Sequence, residues 1–171
     1  TGTGYVTENY SSWGNLPLFL FLILMFIGGC AGSTTCGIKI FRVQILYQFF
    51  SNQIKKIIYP HGVFNMKYEK QNIDEKFMSS VISFIYLYFI IFFIVTSLLT
   101  INGLDLVSAL SAAATAISNV GPGLGDTIGP NGNFSEISNN SKWILSFAMI
   151  LGRLELFAIL VLFIPSFWRK F

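Results

Sequence analysis

Apolar positions along the chain fall into runs separated by breaks of different kinds. Positions 16–27 are almost wholly apolar, but twelve residues are too few to cross a bilayer alone, which takes about 20. A small-residue break follows, Gly28, Gly29, Cys30, Ala31, Gly32, Ser33, Thr34, Thr35, Cys36 and Gly37, and a helical pattern resumes from Ile38 to about Phe50. Two half-length helices around such a break form the discontinuous-helix pattern of membrane transporters; the competing reading is an ordinary loop between two short helices. Positions 51–76 are polar and interrupted by Tyr59-Pro60-His61-Gly62. Positions 78–101 carry no charge, enough for about 36 Å of helix, and are the clearest membrane span. The last apolar run, 143–168, has a tryptophan at each end, as suits membrane interfaces.

Between the last two runs lies 104–125, LDLVSALSAAATAISNVGPGLG. Its first half, from Asp105 to Ile117, lacks Gly and Pro and is rich in Ala, Leu and Ser, which suits a short helix that neighbours can approach closely. Its second half cannot be helix, because Gly121, Pro122, Gly123 and Gly125 crowd into five positions. Irregular backbone at membrane depth is tolerated only when buried in protein or lining a water-filled cavity. The pattern predicts a re-entrant pore loop.

Composition agrees with a membrane setting. Of 171 residues, 53% are hydrophobic and 11% charged, against roughly 25% charged in soluble domains. From Lys39 to Lys76, seven bases (Lys39, Arg42, Lys55, Lys56, Lys67, Lys70, Lys76) face three acids (Glu69, Asp74, Glu75), whereas 101–142 has Lys142 against Asp105, Asp126 and Glu136. By the positive-inside rule the 51–76 linker is cytoplasmic and 101–142 faces outward; Arg169-Lys170 puts the C-terminus on the cytoplasmic side too.

Candidate chemistry is sparse. Gly32 to Lys39 echoes a phosphate-binding loop, but a residue intrudes before the lysine, no Ser or Thr follows it, and a membrane helix rather than a strand precedes it. Cys30 and Cys36 lack the spacing and further ligands of a zinc site, and the lone histidine, His61, reads as a turn residue. No nucleophile–base pair supports a membrane enzyme. Arg153 and Glu155 lie inside the last apolar run, where an ionised group costs at least about 2.5–3.5 kcal/mol and must face a partner or water. Two positions apart, they point to different faces of one helix. Arg153 is read as a fixed positive barrier in a cation path or an anchor for a neighbouring loop; the competing reading is a buried interhelical salt bridge.

The chain repeats an order of Gly-bearing loop, polar segment and membrane helix, with Thr1-Gly2-Thr3-Gly4-Tyr5 and Ser118-Asn119-Val120-Gly121-Pro122 in equivalent places. Four such loops around one axis would form a ring of carbonyls able to replace a potassium ion's hydration shell, and a short helix ending at the loop would favour a cation through its dipole.

The combination GGCAGSTTCGIK (28–39), SNVGPGLG (118–125), GPNGNF (129–134) and LGRLELF (151–157) resembles the Trk/Ktr/HKT superfamily of potassium transporters, and within it the bacterial Trk-type membrane subunit. The resemblance implies an all-α integral membrane protein, part of a four-fold pseudo-symmetric bundle of helix–pore loop–helix units. Residues 1–50 would hold the filter segment and broken second helix of the third unit, 51–76 the cytoplasmic linker and 77–171 the complete fourth unit. The chain is accordingly expected to be a C-terminal fragment.

The resemblance further implies a filter formed by Gly2, Thr3, Gly4 and Tyr5 with Asn119, Val120, Gly121 and Pro122, with potassium at Thr3, Gly4, Val120 and Gly121. It implies a gate formed by the 28–37 loop with Arg153. Thr35-Cys36 departs from the Ala or Gly common at those positions of the family. Also implied are the transported potassium ion with no cofactor, a homodimer, a cytosolic nucleotide-binding regulatory subunit, and a multi-pass location in a bacterial inner membrane, with no nucleic acid bound. The alternatives are a non-conducting helical assembly subunit and a sodium-permeable member of the superfamily.

Overall fold

The computed structural model describes residues 3–60, 62, 67–68, 71–125, 127–130, 132–154, 161 and 165–168. Expectations placed on Gly2, His61, Asp126, Glu155, Arg169 and Lys170 lie outside the described residues.

The central element is the alanine-rich helix. Helix α1 spans Asn15–Phe26, α2 Ile40–Ile58, α3 Glu75–Ile101, α4 Leu106–Ser118 and α5 Asn139–Arg153, with a 3-10 turn at Tyr10–Trp13 and a short helical turn at Pro165–Trp168. Helix α4 packs against α1, α3 and α5 at once. Ala109, Ala112, Ala113, Ala114 and Ala116 are wholly buried, because side chains of one carbon let three helices close in on a fourth. Gly152 of α5 completes this fit, since a Cβ there would overlap the Ile117 carbonyl.

Local signals account for the helix ends. The Asp105 side chain caps α4 by accepting from the Val107 N–H at 3.2 Å, and Ser138 caps α5 through the Ser141 N–H at 3.3 Å. Helix α4 stops at Asn119, the one described non-glycine residue at positive φ (53°), a conformation that Asn tolerates better than most residues. Among the described residues, 76–101 of α3 is the one helix long and apolar enough to cross a membrane; α1 and α4 are shorter apolar helices.

The elements differ from the sequence reading at three points. Helix α2 does not stop near Phe50 but runs to Ile58: SNQIKKII has no Gly or Pro, its Lys55 and Lys56 suit a helix C-terminus, and Pro60 biases the chain out of helix only at Tyr59. The polar linker is therefore partly helical, and it contains a two-residue antiparallel ladder, Lys67–Tyr68 with Gln71–Asn72. The last apolar run is not helical throughout. Helix α5 ends at Arg153, with Leu154 at φ −90°, ψ 13°.

Aromatic contacts tie the broken helix pair to α3. Phe26, the last residue of α1, meets Phe92 edge-on at 5.1 Å between ring centres, and the Arg42 guanidinium of α2 lies 3.7 Å from the centre of the Phe84 ring, a cation–π geometry.

Candidate functional site

The two Gly-bearing segments expected to form a filter lie side by side. A Cβ built on Gly4 would fall 2.7 Å from the Val120 carbonyl oxygen and 3.2 Å from the Pro122 ring. Gly4 (φ 73°) and Gly121 (φ 117°) both occupy the left-handed region that favours glycine. Thr3, Gly4, Tyr5, Val120 and Pro122 border one cavity of about 390 Å³. Gly2 falls outside the described residues.

Helix α4 aims its C-terminal end at this place. The Val120 N–H donates to the Thr115 carbonyl at 3.0 Å and the Gly121 N–H to the Thr115 hydroxyl at 2.8 Å. Asn119 donates from its side-chain amide to the Met149 carbonyl of α5 at 3.1 Å. Beyond Gly121 the chain is clamped by Ser111, whose hydroxyl accepts from the Leu124 N–H at 2.9 Å and lies 3.0 Å from the Leu124 carbonyl. The Tyr10 hydroxyl donates to the Gly123 carbonyl at 2.7 Å, so the segment after Gly4 supports the segment after Gly121. Burial pushes the Tyr10 phenol above its ordinary pKa. Tyr88 of α3 and Ser118 share a buried hydrogen bond of 2.7 Å just behind Asn119.

The 28–37 loop borders the same cavity. Its neck is closed by two backbone hydrogen bonds, Gly28 N–H to the Ile38 carbonyl and Ile38 N–H to the Phe26 carbonyl, both 2.9 Å. The segment is thus an excursion between two helices whose ends stay together. Within it the Ser33 N–H donates to the Cys30 carbonyl at 3.1 Å, and the Ser33 and Thr35 hydroxyls are bonded to each other. Cys30, Ala31, Gly32 and Thr34 are exposed; Ser33, Thr35, Cys36 and Gly37 are half-buried.

Gly28, Gly29, Thr35 and Cys36 line the 390 Å³ cavity. Thr35 and Cys36 also line a second cavity of about 250 Å³, together with Gly37, Lys39, Arg42 and Arg153. The loop thus contributes lining residues to both. Arg153 reaches it from α5, its guanidinium donating to the Thr34 carbonyl at 2.9 Å and lying 3.5 Å from the Cys36 sulfur. Among the described residues, Arg153 thus touches the loop at Thr34 and Cys36. Met149 and Arg153, four positions apart on one face of α5, connect the same helix to Asn119 and to the loop.

Comparison with known proteins identifies the group. A family model described as TrkH, cation transport protein, matches residues 1–170. The chain belongs to the TrkH family. It is 43% identical over 170 residues to the Trk system potassium uptake protein TrkI of Halomonas elongata, covering 99% of this chain and 35% of that protein. It is 35% identical over 173 residues to the Trk system potassium uptake protein TrkH of Escherichia coli, with the same coverage of each. The crystal structure of the potassium transporter TrkH from Vibrio parahaemolyticus superposes with a TM-score of 0.88 at 32% identity, covering 98% of this chain and 35% of that one. The chain therefore spans about a third of the length of the TrkH-family relatives it matches.

Some residues at the junction escaped the sequence reading. Thr115, Ser111, Tyr10 and Gly152 stand in helical or polar stretches where a hydroxyl or a glycine is unremarkable. The spacing from Ser111 and Thr115 to the Gly-rich turn was visible, since a helix that folds straight back into irregular backbone needs hydroxyls on its last turns to meet that backbone. The contact partners across α5 and the 3-10 turn had no local signal.

Proposed function

We propose that the chain supplies two filter segments and the gate of a potassium-permeation pathway. The observation that carries this is the juxtaposition of Thr3, Gly4 and Tyr5 with Val120 and Pro122 around a cavity that Gly28, Gly29, Thr35 and Cys36 of the 28–37 loop also line. Carbonyl oxygens presented by glycine-rich backbone can replace the hydration shell of a monovalent cation, and the C-terminal end of α4 adds a favourable negative potential there. Two such segments make half a ring, so the path is completed by chain beyond the present one. The names of the relatives, potassium uptake proteins and a potassium transporter, favour potassium as the ion.

In this reading residues 1–50, 51–76 and 77–171 are the third-unit remainder, the cytoplasmic linker and the fourth unit of a multi-pass inner-membrane protein. The protein works as a homodimer with a cytosolic nucleotide-binding subunit. Expression of the full-length protein in a host lacking its own potassium uptake tests the central claim. Growth at low potassium, with uptake of potassium preferred over sodium, is the expected result. A correctly inserted protein that restores no uptake overturns the reading in favour of a non-conducting assembly subunit; uptake that favours sodium reassigns the ion.

A further inference from the structure

In a trans peptide group the N–H and the C=O point in opposite directions, and no described peptide is cis. The Val120 N–H and the Gly121 N–H both turn toward Thr115, one to its backbone carbonyl at 3.0 Å and one to its hydroxyl at 2.8 Å. The carbonyls of the same two peptides, those of Asn119 and Val120, are therefore turned away from α4, and the Val120 oxygen comes to face Gly4. Thr115 itself is buried, at 1% exposure. It sets the direction of two consecutive carbonyls, and Val120, which carries the second, borders the cavity.

The hydroxyl has a task the backbone cannot perform. Rotating the 120–121 peptide by half a turn changes ψ of Val120 and φ of Gly121, and a glycine accepts φ of either sign. Gly121 thus offers little resistance to a flip that would present an N–H, the positive end of the peptide dipole, where a cation has to pass. The side-chain oxygen of Thr115, accepting the Gly121 N–H, supplies the resistance. We infer that Thr115 is a positioning residue for ion selectivity, acting through the Val120–Gly121 peptide. The inference rests on the permeation reading above and names the side chain that determines its selectivity.

The test compares wild type, Thr115→Val and Thr115→Ser in the full-length protein reconstituted in liposomes, reading the potassium-to-sodium permeability ratio. The ratio is independent of how much protein inserts, so a merely structural loss does not move it. Thr115→Val keeps the shape but has no acceptor, and the ratio is expected to fall by roughly fivefold, the weight of one net hydrogen bond. Thr115→Ser keeps the oxygen and is expected to retain most of the ratio. If the valine protein does not insert, Thr115→Ala takes its place in the same comparison. An unchanged ratio without the hydroxyl, or an equal loss in Thr115→Ser, overturns the assignment. A wild-type protein that passes no potassium overturns the permeation reading, and the assignment with it.

Discussion

Gly4 and Val120, from opposite parts of the chain, touch through backbone alone: a Cβ on Gly4 would lie 2.7 Å from the Val120 oxygen. Two irregular segments can approach this closely only if one of them carries no side chain. Gly4 also sits at φ 73°, so the position requires glycine for its conformation and again for its neighbour. Gly121 differs. A Cβ there would meet the Gly4 Cα at an ordinary 3.5 Å, and its requirement is conformational, with φ at 117°.

Gly4→Ala is therefore expected to be the more damaging of two substitutions. It meets the Val120 oxygen and adds a left-handed backbone cost of about 1–2 kcal/mol, and the potassium-to-sodium ratio of the full-length protein should collapse. Gly121→Ala carries the backbone cost alone and should lower the ratio less. Ion flux through reconstituted protein measures both; equal ratios in the two variants and wild type would remove these segments from the pathway.

Arg153→Ala should release the loop. The guanidinium holds the Thr34 carbonyl at 2.9 Å, and without it the loop that lines both cavities loses this tie to α5. Potassium flux is expected to rise. Flux that stays level or drops in well-folded protein would show that Arg153 does not hold the barrier closed.

Gly152→Ala should loosen the helix bundle. Its Cβ would overlap the Ile117 carbonyl, and overpacking of this kind typically costs about 1–3 kcal/mol. The Tm of the full-length protein in detergent is expected to fall, and Asn119, held by the Met149 carbonyl one turn earlier on α5, should lose its position as well. An unaltered Tm would mean that α4 and α5 can separate at this point without loss.

Ser111→Ala should destabilise the return of the chain after Gly121. It strips the buried Leu124 N–H of its partner, at a cost of about 1–3 kcal/mol for a donor left unsatisfied. The expected reading is a lower Tm, with Ser111→Thr closer to wild type. Equal Tm for wild type and the alanine variant would show that Leu124 finds another acceptor.

What the sequence determined by itself was local. The run 78–101, the Ala-rich helix from Asp105, the Gly-Pro-Gly turn after Ser118 and the small-residue break at 28–37 were all legible, because each depends on hydropathy or on backbone freedom that a residue carries wherever it is placed. The glycines placed the helix–loop boundaries after Ile27 and Ile117, each within one residue of the observed ends at Phe26 and Ser118. The stop of α5 at Arg153 was not legible, since no Gly or Pro follows it before Pro165, and neither was the continuation of α2 to Ile58, where a polar surface concealed a helical period.

Only the tertiary structure decided which segments meet. Thr115 under Gly121 is a contact made where α4 folds back on itself, and Tyr10 against Gly123, Gly152 on Ile117 and Arg153 on Thr34 are pairs made by packing between elements. The last three join positions distant in sequence, and no residue's own chemistry names its partner. For Arg153, too, only the packing of α5 beside the 28–37 loop shows that its guanidinium meets the Thr34 carbonyl.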